Sequence, residues 1–123
     1  MAQKIPPELE QKIIKYQQLE NQLASILTQK SVVVSEIKDI DMALNVLGSV
    51  EEDTPVYKNT GFVMVKVPKE NVEKELKERK EELEIRLNSY EKMEASLRQQ
   101  LDDLKKELEK IRTGGYGAQP KAG

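Results

Sequence analysis

Proline and glycine cut this chain into two long uninterrupted stretches. The prolines stand at 6, 7, 55, 68 and 120, and the glycines at 48, 61, 114, 115, 117 and 123. Windows 8–47 and 69–112 contain neither. Proline removes a helix donor and clashes with the preceding turn, and glycine weakens a helix through backbone entropy. Two windows that exclude both predict two helices, over 7–47 and 69–112, each about 60–65 Å long at the usual rise. Pro7 suits a first helical turn, and Gly48 after Leu47 reads as a C-terminal stop. Pro68 opens the second helix and Gly114-Gly115 closes it.

Apolar periodicity says how the helices pack. In the second window Leu76, Leu83, Tyr90, Leu97, Leu104 and Ile111 recur every seven residues, flanked by Lys80, Leu87, Glu94, Leu101 and Leu108. In the first, Leu19, Ile26, Val33, Ile40 and Leu47 form one row, and Leu23, Lys30, Ile37 and Leu44 the other. This alternating four-three spacing is a coiled-coil seam. Before Leu19 the apolar residues Leu9, Ile13 and Tyr16 predict a phase slip of about three residues. Val32-Val33-Val34 is a β-branched run and a poor helix former, yet Val33 falls in register. Helices of similar length joined by one connector predict an antiparallel hairpin. If Leu44 faces Leu76, partners sum to about 120 throughout, pairing Leu23 with Leu97 and Tyr16 with Leu104. The expected fold is mainly α: an antiparallel two-helix coiled coil with a single β-hairpin in the connector, one unit over residues 1–123.

Composition removes whole classes of chemistry. Charged residues make up 34% and aromatics 4%, and the chain has no Cys, His or Trp. No disulfide, thiol nucleophile, His-containing triad or His- or Cys-ligated metal site can be built. There is no P-loop, G-x-G-x-x-G or EF-hand spacing, and Glu51-Glu52-Asp53 reads as a solvated acidic loop. No catalytic residue, metal or cofactor is expected, and no enzyme. The net charge of −2, from 20 basic and 22 acidic residues, argues against nucleic acid as a partner. No run approaches the ~18–20 apolar residues of a membrane span, and Met1-Ala2-Gln3-Lys4-Ile5 lacks the apolar core of a signal peptide. A cytoplasmic location is the expectation.

The connector, 48–68, is the most informative segment. Val56-Tyr57-Lys58 and Phe62-Val63-Met64-Val65-Lys66-Val67 flank Asn59-Thr60-Gly61, a β-hairpin signal. Val63, Val65 and Val67 fall on one face of the second strand; Phe62, Met64 and Lys66 fall on the other. Both faces carry apolar side chains, and an isolated two-stranded hairpin is marginal in water. Either strands of other subunits complete the sheet, or the hairpin folds back on its own helices. One narrow helix pair cannot cover both faces, which favours assembly through Val56, Tyr57, Phe62, Val63, Met64, Val65 and Val67.

Helix, single hairpin and helix, in that order and across nearly the whole chain, resembles the prefoldin family, in its archaeal β-type subunit. The local markers are Ile5-Pro6-Pro7-Glu8, Val56-Tyr57-Lys58 followed by Gly61, and Val65-Lys66-Val67. A fourth is Lys74-Glu75-Leu76 continuing through Arg79, Leu83, Arg86 and Tyr90. A connector with room for one hairpin matches the β-type, since α-type subunits carry two. The resemblance implies a hexamer of two α-type and four β-type subunits joined by their hairpins into a double β-barrel. It further implies coiled-coil arms whose ends hold unfolded proteins without ATP and pass them to a group II chaperonin.

The residues at the open end of the helix pair fit such a role. The expected pairing gathers Ile5, Leu9, Ile13, Leu108 and Ile111 there, with Ile14 off the seam. Apolar side chains at fraying helix ends can hold apolar segments with little sequence selectivity. Leu9, Ile13, Leu108 and Ile111 also read as ordinary terminal seam residues, whereas Ile5 and Ile14 are harder to place in the seam. The tail from 113 to 123, with Tyr116, is flexible by composition. Two other functions remain open at this point. One is a coiled-coil adaptor binding one defined protein. The other is an RNA-binding helical arm, which the 12 basic and 13 acidic residues of 69–112 disfavour.

Overall fold

The computed structural model describes residues 5–114. Tyr116 and the rest of the expected tail from 115 lie outside the described residues. The element order is α1 (Pro7–Ser49), β1 (Val56–Asn59), β2 (Met64–Val67) and α2 (Lys69–Gly114). Two long helices with an antiparallel two-stranded hairpin between them make the chain mainly α, as the sequence predicts.

The helix starts follow their capping chemistry. Pro7 occupies the first position of α1, and the Glu10 amide already donates to the Pro6 carbonyl at 3.0 Å. Glu8 and Glu10 in that turn favour the positive end of the helix dipole. At α2 the Pro68 carbonyl accepts from the amides of Asn71 and Val72, so a residue without a donor begins the helix at no cost. α1 overruns its expected stop at Gly48, and α2 runs past 112 to Gly114, the first of the two glycines expected to close it. Gly48 lies inside the last turn of α1, whose Ser49 hydroxyl donates to the Val46 carbonyl at 2.8 Å. α2 passes 112 through Thr113, whose hydroxyl donates to the Glu109 carbonyl at 2.8 Å. A glycine near a helix end permits a stop without enforcing one.

The described chain forms two compact units, residues 5–28 with 90–114 and residues 29–89. In the first, the terminal unit, Leu19, Leu97 and Leu104 are buried together, with Tyr16, Leu23, Ile26, Leu101 and Leu108 packed against them. In the second, the hairpin unit, Val33, Ile40 and Leu83 are buried, and Leu83 is 0% exposed. Every member of the predicted rows from Leu19 onward is buried or half-buried in the unit that holds it. Cross-helix ion pairs confirm the register inside each unit: Lys12–Glu107 and Asp41–Lys80 add to 119 and 121.

The predicted phase slip is absent. Leu9, Lys12, Tyr16 and Leu19 are the covered positions, which continues the three-four alternation without interruption, while Ile13 faces solvent. The physical reason is the lysine side chain. Its aliphatic stem covers the seam while its Nζ reaches Glu107 Oε2 at 3.4 Å. A lysine therefore stands where the sequence pattern placed an isoleucine.

Candidate functional site

The β-hairpin is built from four cross-strand pairs, Val56 with Val67, Tyr57 with Lys66, Lys58 with Val65 and Asn59 with Met64. Alternation puts Val56, Lys58, Val65 and Val67 on one face and Tyr57, Asn59, Met64 and Lys66 on the other. The first face leans on its own helix. Val56 and Val67 are half-buried, and Lys58 Nζ donates to Glu75 Oε2 at 3.0 Å. The second face, with Tyr57 and Met64, is open. Among the described residues no third strand joins the sheet, so the outer edges of β1 and β2 keep unpaired backbone groups.

The turn differs from the expected one. Phe62 and Val63 belong to the loop, not to the second strand, which begins at Met64. The Thr60 amide and hydroxyl both donate to the Val63 carbonyl at 2.9 Å, and the Gly61 amide donates to Asn59 Oδ1 at 2.9 Å. Gly61 sits at φ +102°, a conformation that a side chain disfavours. The loop so closed presents Phe62, the only phenylalanine of the chain, at 101% exposure.

Ion pairs clamp the helices beneath the hairpin. Arg79 spans to Glu36 with two hydrogen bonds, 2.7 and 3.3 Å, and also reaches Glu82. The hydrogen bond from Arg79 holds the Glu36 carboxyl below its ordinary pKa. Asp41, at 2.7 Å, raises the Lys80 ammonium by the same kind of bond. All four side chains are at least one-third exposed, so these contacts orient the helices more than they stabilise them.

The terminal unit divides its six candidate residues into two groups. Leu9, Leu108 and Ile111 are half-buried seam residues. Ile5, Ile13 and Ile14 are exposed, Ile14 at 53%. Ile13 and Ile14 are thus displaced outward because Lys12 takes the seam. The sequence reading missed Leu27 and Met93 in this unit and Val32, Met42, Val46 and Ile85 in the hairpin unit, all exposed. Their signal was available: each is a large apolar residue outside both heptad rows. Among the described residues no cluster of three His, Cys, Asp or Glu side chains is placed to hold a metal ion, and no helix is long and apolar enough to cross a membrane.

Comparison with known proteins accounts for this architecture. The family model described as prefoldin subunit matches residues 10–114. The chain belongs to the prefoldin family. Among curated prefoldin relatives, the prefoldin subunit beta of Sulfurisphaera tokodaii is 44% identical over 111 residues, covering 90% of this chain and 89% of that one. The prefoldin subunit beta of Saccharolobus islandicus is 40% identical over 116 residues, covering 94% and 92%. The crystal structure of the prefoldin beta subunit from Thermococcus strain KS-1 superimposes with a TM-score of 0.82 at 33% identity, covering 89% of this chain and 96% of that chain. The order of helix, single hairpin and helix is thus a prefoldin beta fold.

Proposed function

We propose that this chain is a β-type subunit of a hetero-oligomeric, ATP-independent chaperone, a non-enzymatic holdase. In this reading it assembles through its hairpin with α-type subunits and further copies of itself, as a hexamer of two α and four β. Exposed isoleucines of the terminal unit hold unfolded proteins, which pass to a group II chaperonin in the cytoplasm. The observation that carries the proposal is the double exposure of apolar surface on a prefoldin fold. Tyr57, Phe62, Val63, Met64 and Val65 are exposed on the hairpin, and Ile5, Ile13 and Ile14 on the terminal unit. A monomer with both surfaces open has use for two kinds of partner. Leu9, Leu108 and Ile111 support the terminal surface from the seam. Client contact of about 1.5–3 kcal/mol per fully covered side chain is weak for one arm and sufficient for several acting together.

The test is light scattering from a chemically denatured protein diluted without ATP, with this chain alone and with an α-type prefoldin partner. Suppression of aggregation at near-stoichiometric chaperone is expected. Ile13→Ser/Ile14→Ser is expected to weaken suppression about five- to tenfold while the assembly keeps its size. An assembled protein that suppresses nothing would reject client holding and leave the adaptor reading, with one defined protein partner.

A further inference from the structure

We propose that the hairpin loop of one subunit docks on the exposed face of α1 of a second copy of this chain, with Phe62 seated against Met42 and Val46. The proposal rests on the reading that the chain assembles through its hairpin, and it names a contact outside the strands. Phe62 is 101% exposed. Nothing among the described residues covers it, and Gly61 and the Thr60–Val63 bonds fix the loop that presents it. A large aromatic held out on a rigid loop costs solvent ordering without return unless a partner covers it, and such side chains are the usual anchors of interfaces.

The receiving face is on α1. Met42 and Val46 are 67% and 60% exposed and stand one turn apart, so they form one patch beside Asp39. Neither belongs to the seam, which here runs through Ile40, Leu44 and Leu47. Methionine adapts to an aromatic ring and gains from sulfur–ring contact.

Charge selects the occupant. Between Thr54 and Val67 the chain carries Lys58 and Lys66 and no acid; on α1 from Glu36 to Val46 it carries Glu36 and Asp41, both paired to α2, together with Asp39 and one lysine, Lys38, one turn from Met42. Lys58 and Asp41 are engaged within the chain. Lys66, on the open face of the hairpin, and Asp39, beside the Met42–Val46 patch, have no ion-pair partner among the described residues. Lys66 on the hairpin that carries the aromatic anchor and Asp39 beside the apolar patch are complementary within one sequence, so a second copy supplies both halves.

A cysteine-free chain makes the test direct. Val63→Cys places a thiol next to Phe62 and leaves the anchor intact; Val46→Cys places one at the patch. The two variants are mixed in the assembled oligomer, with the α-type partner, and oxidised mildly. Disulfide-linked chains are expected to form at least about tenfold faster than from Val63→Cys with Ile85→Cys, a still more exposed site on α2. Adding Phe62→Ser to the first pair should remove the advantage. Equal rates in an oligomer of unchanged size would overturn the contact while leaving hairpin assembly standing. An oligomer that never forms, read by light scattering beforehand, would overturn the assembly reading and this contact with it.

Discussion

The hairpin unit and the terminal unit both expose large apolar side chains, but their backbones differ. In the hairpin, Tyr57, Met64 and Val65 stand on strands whose outer edges are unpaired. In the terminal unit, Ile13 and Ile14 stand on a helix whose peptide groups are satisfied within α1. An unpaired edge asks for another strand, in register, permanently. An exposed isoleucine on a closed helix asks only for apolar cover and accepts it from any chemistry that supplies it. The same residue types therefore suit a fixed partner in one place and a passing one in the other.

The strongest way to break this comparison is to charge the open face of the hairpin. Tyr57→Asp/Met64→Asp should raise the dissociation constant of the assembly about 100-fold or more. The helices should be untouched, because both side chains lie on the open face of the hairpin. Sedimentation velocity reads the first effect and far-ultraviolet circular dichroism the second. An assembly that tolerates both aspartates would show that the hairpin face is not where subunits meet.

Next in size is the core of the hairpin unit. Leu83 is its only side chain with no exposure at all, and Leu83→Ala should cost about 2–5 kcal/mol in thermal or denaturant unfolding. Leu104→Ala, at the still slightly exposed seam of the terminal unit, should fall at the lower end of that range. The reverse order would mean that the seam is anchored at the chain termini and not beneath the hairpin.

Most of this was legible before any coordinates. Two windows without proline or glycine gave the helices, and the seven-residue rows gave the seam from Leu19 to Leu108 residue by residue. The hairpin was legible from its β-branched run and the Asn-Thr-Gly turn. Its second strand was read two residues too long, because Phe62 and Val63 have strand-forming side chains although the Thr60–Val63 bonds close the loop around them. The first turns of α1 were misread for a similar reason. A pattern of residue types assigns the seam to Ile13, whereas the three-four alternation extended back from Leu19 assigns it to Lys12. Of the misread residues Ile13, Phe62 and Val63 are left exposed, where core packing does not dictate the residue type.

That correction has its own test, smaller in effect. Lys12→Leu should stabilise the terminal unit by about 1 kcal/mol, since a leucine fills the seam fully. The lost Lys12–Glu107 pair, with Glu107 56% exposed, offsets little of this gain. If a phase slip put residue 13 in the seam, leucine at 12 would lie on the surface and leave the melting temperature unchanged.

The smallest expected effect belongs to the clamp between Arg79 and Glu36 in the hairpin unit. The hydrogen bond from Arg79 depresses the folded-state pKa of Glu36 below its value of 4.5 in an unfolded chain. A group with a depressed folded pKa binds more protons unfolded than folded, so its stabilising contribution is present above the unfolded pKa and is lost as pH falls through the folded one. Glu36→Gln should therefore melt slightly below the parent protein at neutral pH, and the two melting curves should converge as the pH falls below 4.5. The difference stays small because water screens both partners. A gap that persisted into acid would assign the effect to packing of the glutamate stem and not to its charge. The clamp would then act on the hairpin unit as the seam does, through contact area.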